Sequence, residues 1–189
     1  MSILKPLTYV ALLPVFAWTA VGFAAVGRGA ERAAAASDTT AKRCSGAAFH
    51  QFDFWEGDWV VRNPQGKVLG HDQVHRVVDG CALVETWQGG GGGHGMSINT
   101  YDTDRGEWTQ RWVGSGSTLW LLGGLEKGSM VLTGAAPRTT PKGKVLDRIT
   151  WTPLPDGRVR QVWEISPDGG HSWTKSFEGL YSPMGGSAR

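Results

Sequence analysis

The stretch that decides the fold is FDFWEGDWVV, residues 52–61. Its Gly57-Asp58-Trp59 core opens a strand. From there apolar and polar residues alternate nearly to the end of the chain, the period of two that sends successive side chains to opposite faces of a sheet. Trp55 and Trp59 begin a series that continues with Trp87, Trp108, Trp112, Trp120, Trp151, Trp163 and Trp173. So many large rings in a small domain need either a thick core or a walled cavity.

Upstream, Lys5 precedes an almost unbroken apolar run from Leu7 to Val26, the pattern of a secretory signal. Small residues at Gly22-Phe23-Ala24 and Ala34-Ala35-Ala36 offer two cleavage points. Residues 1–36 therefore read as signal peptide and cleavage region. A run of about 20 residues is also long enough to stay uncut as a membrane anchor. Residues 37–48, rich in Ala, Thr and Ser, read as a disordered connector, residues 49–182 as one domain and residues 183–189 as a flexible tail.

The expected location is secreted or periplasmic, with no stable membrane insertion once the signal is removed. A formal net charge of +2, without runs of Lys or Arg, argues against nucleic acid as a partner. Cys44 and Cys81 form an even pair, which in an oxidising compartment predicts a disulfide from the connector to the barrel wall. Two free buried thiols are the alternative. With no CxxC or Cys/His set in the chain, neither a metal nor a cofactor is expected.

Turn signals recur at Pro64 to Lys67, Asp79-Gly80, the Gly89 to Gly95 tract, Asp104 to Gly106, Gly114 to Gly116, Gly123-Gly124, Asp156-Gly157 and Asp168 to Gly170. Most are roughly 8 to 14 residues apart, the interval of a meander of hairpins. No segment carries a helical apolar stripe over three turns. The fold expected is all-β, a single antiparallel up-and-down barrel of about 8–10 strands, because closure removes vulnerable edges. A two-sheet sandwich would alternate in the same way.

Strand parity then sorts the faces. Cys81, Leu83, Glu85 and Trp87 share one face, as do Trp108, Gln110 and Trp112. So do Val145, Asp147, Ile149 and Trp151, and likewise Val159, Gln161, Trp163 and Ile165. The last strand groups Trp173, Lys175, Phe177 and Tyr181. Each apolar face thus carries a polar intruder, and an unpaired one costs a few kcal/mol in a dry core. One arrangement satisfies them by lining a cavity among Trp87, Trp108, Trp112 and Trp163, with Glu85, Gln110, Gln161, Trp87, Trp112 and Trp163 as the ligand-binding set. In the other, the polar groups bond one another or sit in water at the rims.

The segments FDFWEGDWVV, GCALVETW (80–87), GMSINTYD (95–102) with GEWTQRWV (106–113), and RITWTPLPDGRVRQVWEISPDGGHSW (148–173) together resemble a family of bacterial lipocalin-like domains. The resemblance covers about residues 50 to 181. It implies a calycin-type antiparallel barrel whose Gly-x-Trp strand, with Gly57 and Trp59 as structural residues, closes one end. It brings no established activity, so no catalytic residue carries over. In lipocalins the Trp of this motif packs beneath an Arg from a late strand, and Arg148 or Arg160 fits that role by cation–π attraction. The Gly89–Gly93 tract departs from the family pattern.

Other motifs are weaker. Ser166 to Trp173 matches the Ser-x-Asp-x-Gly-x-x-Trp pattern known from sialidase-type propellers, but a propeller repeats it in several blades. A single copy reads as a hairpin staple. His71 and His75 lie about 13 Å apart on one strand face, too far for one ion. His94 and His171 read as solvated surface residues. No Gly-x-Ser-x-Gly elbow is present, which leaves Glu85, Asp147 or Glu164 as candidate acid/base groups.

The leading expectation is an exported barrel that holds a small apolar or aromatic molecule. An isomerase- or cyclase-type enzyme on the same scaffold, with Glu85 moving the proton, is the second. The third is a structural envelope protein whose barrel is filled.

Overall fold

The computed structural model describes residues 44–185. The segment expected to be a signal peptide, most of the expected connector and the last four residues lie outside them. Eleven strands form: β1 (Gly57–Arg62), β2 (Val68–Val77), β3 (Ala82–Gly89), β4 (His94–Asp102), β5 (Glu107–Gly114), β6 (Ser117–Glu126), β7 (Ser129–Gly134), β8 (Arg138–Thr140), β9 (Gly143–Pro153), β10 (Val159–Ser166) and β11 (Thr174–Pro183). Every pairing is antiparallel. The order runs from β1 to β7, on to β9, β10 and β11, and back to β1. Ten strands thus close into an up-and-down barrel, and β8 adds a short ribbon along β9. The sandwich alternative is excluded by the β11–β1 closure.

Chain direction fixes the two ends. The segment before β1 enters at one end, which also carries the β2–β3, β4–β5, β6–β7 and β9–β10 connections. The Gly89–Gly93 tract and the β1–β2, β5–β6 and β10–β11 turns lie at the other.

The entry end is plugged by aromatic residues. Two 3-10 turns, Ala47–His50 and Asp53–Trp55, carry Phe52 and Trp55 inward, where both are fully buried. Phe52 stacks on Trp55 at 4.8 Å and meets Trp108 and Trp151 edge-on at 5.7 and 5.2 Å. Such offset and edge contacts add to the burial of ring area itself. Trp59 donates its indole N–H to the Trp55 carbonyl at 3.0 Å and packs against Tyr181. The Trp108 N–H reaches the Ala48 carbonyl (3.2 Å) and the Gln51 side chain (3.1 Å).

Arg76, at the end of β2, clamps the same segment from outside. It donates to the Phe49 and Gly80 carbonyls and pairs with Asp53 and Glu56. Cys44 is bridged to Cys81 across 5.1 Å between Cα atoms. Residues 44–48, expected to belong to a disordered connector, are therefore tied into the plug by this bridge and by the first 3-10 turn. The strands run one residue past the expected end of the barrel, to Pro183.

Gly57 shows why the opening motif is Gly-x-Trp. Its φ is +152°, a region that side chains avoid, and a Cβ there would meet the Trp59 ring at 3.3 Å. Only glycine lets the chain turn from plug to strand beneath that ring.

Candidate functional site

Above the plug the barrel is hollow. A cavity of about 150 Å³ is lined by Glu85, Trp87, Gln110, Trp112, Leu119, Ile149, Gln161, Trp163, Phe177 and Tyr181. The six residues of the expected ligand-binding set lie on its wall, but Trp108, also expected around the cavity, is drawn into the buried core by the plug. The nine indoles of the barrel divide accordingly. Trp55, Trp59, Trp108 and Trp151 belong to the buried core, Trp87, Trp112 and Trp163 wall the cavity, and Trp120 and Trp173 lie on the outside under Arg111 and Arg148.

The polar side of the wall comes from β3, β4 and β5. Their registers set Glu85 opposite Ser97, and Asn99 opposite Leu83 and Gln110. Gln110 donates to Asn99 Oδ1 at 2.8 Å, Asn99 donates to Ser97 Oγ at 2.9 Å, and Ser97 donates to Glu85 Oε2 at 2.5 Å. Asn99 also donates to the Leu83 carbonyl at 3.2 Å. This chain of bonds fixes the rotamers of Gln110 and Glu85 and satisfies groups that would otherwise be costly to bury. Across the cavity, the Tyr181 hydroxyl donates to Gln161 Oε1 at 2.7 Å.

Asp72 is the buried polar residue without such support. It lies on β2 opposite Trp87, diagonal to Glu85, whose direct partner is Val74. It is fully buried, and neither carboxyl oxygen has a partner among the described residues. Burial and then the neighbouring Glu85 carboxyl push its pKa up to about 9, with the Gln73 backbone N–H acting in the opposite direction. Burial likewise pushes Glu85 up to about 7, with the Ser97 hydrogen bond pulling the other way. The two acids share one environment and titrate as a pair. The Tyr181 phenol is held well above its ordinary value by burial and by Asp72 and Glu85, so it stays neutral.

At the end of the cavity away from the plug, Trp163 donates its indole N–H to Asp147 Oδ1 at 2.8 Å. Arg138 grips the same carboxylate with two bonds, of 2.7 and 3.0 Å. Asp147, a candidate acid/base group in the sequence, is instead an anchor that orients Trp163. Glu164 is bound by Arg148 at 2.8 Å, away from the cavity lining.

Two expectations are corrected here. Among the described residues no Arg stacks on Trp59. Arg148 lies over Trp173 at 4.1 Å and Arg160 pairs with Glu178, while Tyr181 packs against Trp59. Lys175 does not face inward either. The β10–β11 register shifts between Trp163 and Glu164, so Phe177 pairs with Trp163 but Lys175 pairs with Glu164. That bulge turns Lys175 and Trp173 outward, and Lys175 is half exposed beside Glu178.

The β10–β11 hairpin itself follows the staple geometry. Asp168 accepts from Ser166 Oγ, Ser172 N and Ser172 Oγ, which hold its carboxyl well below the usual range. Trp173 folds back to donate to the Gly170 carbonyl.

Asp72, Ser97 and Asn99 were not anticipated from the sequence. Gly70, Asp72 and Val74 share the inward face of β2. Comparison with protein-family models finds no match, and no curated protein matches the chain.

Proposed function

We propose that this chain is an exported, lipocalin-like binding protein that holds a small apolar or aromatic molecule between Trp87, Trp112 and Trp163. The observation that carries this reading is the cavity itself, in a barrel with aromatic residues enough to fill it. Volume near 150 Å³ is the size at which an apolar cavity admits a single aromatic ring. Apolar surface removed from water there contributes roughly 25 cal/mol per Å². Gln161 and Glu85 supply the few polar contacts that orient a ligand. The hollow barrel argues against a purely structural role. Export is supported by the Cys44–Cys81 bridge, since disulfides persist in oxidising compartments. Lipocalin-like character is supported by the Gly57–Trp59 strand at the plugged end of a closed antiparallel barrel.

A second reading, proton-transfer catalysis, is favoured by one feature. Glu85 lies on the cavity wall with its pKa pushed up to about 7, where a carboxyl can both give and take a proton near neutral pH. Native mass spectrometry of protein purified from its own host tests the binding reading. A retained small molecule supports it, and a mass equal to the bare chain contradicts it. Turnover lost in Glu85→Gln with the ligand still retained would identify the enzyme.

A further inference from the structure

We propose that the ligand is an organic cation: the cavity takes an ammonium group, caged by Trp87, Trp112, Trp163 and Phe177 and neutralised by the carboxyl of Glu85, with the buried Asp72 as its neighbour. The inference rests on the cavity being a ligand site and adds the charge of what it holds.

Three observations point to it. The first is an uncompensated acidic interior. The buried polar residues are Asp72, Glu85, Ser97, Asn99, Gln110, Asp147, Gln161 and Ser166, with no Lys, Arg or His among them. Asp147 is answered by Arg138, but Asp72 and Glu85 have no cation among the described residues. The second is Asp72 itself, fully buried with both oxygens unpartnered. Two such acids on adjacent strands cost stability that apolar residues of similar size would not, so their presence calls for a charge to meet them. The third is the wall. Indole faces are the best π partners for cations, and a desolvated contact contributes about 2 kcal/mol or more.

The same features rank the possible occupants. A neutral apolar molecule fills the cavity but uses neither carboxyl, and an anion meets no positive group among the buried residues. A hard metal ion asks for six or more oxygen ligands, which four aromatic rings do not provide. The titratable groups on the cavity wall are Glu85 from β3 and Tyr181 from β11, the last neutral, while Asp72 on β2 is not on the wall but diagonal to Glu85. Because a cation favours the ionised carboxyls, binding expels protons, and affinity rises with pH through the range near 7 where Glu85 titrates.

The test uses trimethylphenylammonium, a permanent cation, and tert-butylbenzene, its neutral isostere, titrated calorimetrically into the mature protein at pH 6 and pH 8 in two buffers. The expected result is cation binding that tightens by about tenfold over that range with proton release, and a preference over the isostere that is lost in Glu85→Gln. The wild-type comparison needs no variant to fold. An isostere that binds as tightly as the cation, without pH dependence, overturns the ligand's charge and leaves the cavity reading standing. Failure of both compounds to bind overturns the cavity reading and this proposal with it.

Discussion

The Trp112 ring lies across Gly95: a Cβ placed on that glycine would sit 2.2 Å from the indole. Ser97 is the direct partner of Trp112 on β4, and Gly95 is its diagonal neighbour. With no side chain at Gly95, the indole lies flat along the wall and leaves the barrel interior open. Trp87 lies over Gly70 in the same way, at 2.7 Å from a Cβ built there. These bare positions, each covered by a ring from the next strand, keep the cavity from filling with its own walls.

Gly95→Ala therefore pushes Trp112 toward the cavity. Overpacking of this kind costs about 1–3 kcal/mol. Urea denaturation monitored by Trp fluorescence should show a lowered midpoint with an unchanged slope. An unaltered midpoint would show that the ring does not rest on Gly95.

Trp59→Ala removes a ring that is 4% exposed and hydrogen-bonded to the Trp55 carbonyl. The expected loss is about 3–5 kcal/mol, because the cavity it leaves is bounded by Tyr181, Trp55 and Gly57, which have little room to collapse. A chemical denaturation midpoint equal to that of the wild type would remove Trp59 from its place in the plug.

Reducing the Cys44–Cys81 bridge releases a loop of 37 residues. In the chain-entropy view this costs about 3–4 kcal/mol. It also frees the 3-10 turn whose Ala48 carbonyl accepts from Trp108. Thiol labelling of the unreduced, unfolded protein should find no free cysteine, and Cys44→Ser with Cys81→Ser should lower the melting temperature. Two labelled thiols in the native preparation would contradict the bridge.

The strand pattern made the fold and half of the site legible, and particular residues explain where it stopped. On β3, β5 and β10 a Trp and a polar residue sit two apart on otherwise apolar faces, so parity alone places Glu85, Gln110 and Gln161 beside Trp87, Trp112 and Trp163. On β4 the pattern is inverted. Met96 and Ile98 are exposed while Ser97 and Asn99 are buried, because the inner positions must bond Glu85 and Gln110. Alternation by hydrophobicity turns that strand the wrong way. Asp72 sits in VLGHDQVHRV, where polar residues occupy both faces and no apolar stripe marks the inside. Lys175 was misplaced by a bulge that no residue in the strand announces.

Asp72 and Glu85 also set a pH dependence. Both folded-state pKa values are raised above the unfolded ones, so the unligated barrel holds protons that the unfolded chain has lost. The stability this gives is complete below about pH 4 and falls as pH rises to about 7 for Glu85 and on to about 9 for Asp72. The slope is at most about 1.4 kcal/mol per pH unit for each group. Melting temperatures measured from pH 5 to pH 9 should fall for the wild type and fall less for Asp72→Asn. Parallel curves for the two proteins would mean that Asp72 is not a buried acid.

The central claim, that the Trp-walled cavity receives a small ring, is tested most directly by titrating ¹⁵N-labelled protein with toluene and following the indole N–H resonances by NMR. The account predicts saturable shifts for Trp87, Trp112 and Trp163, with Trp120 and Trp173 unmoved on the outer surface. Shifts confined to Trp120 and Trp173, or none at any indole, would contradict it.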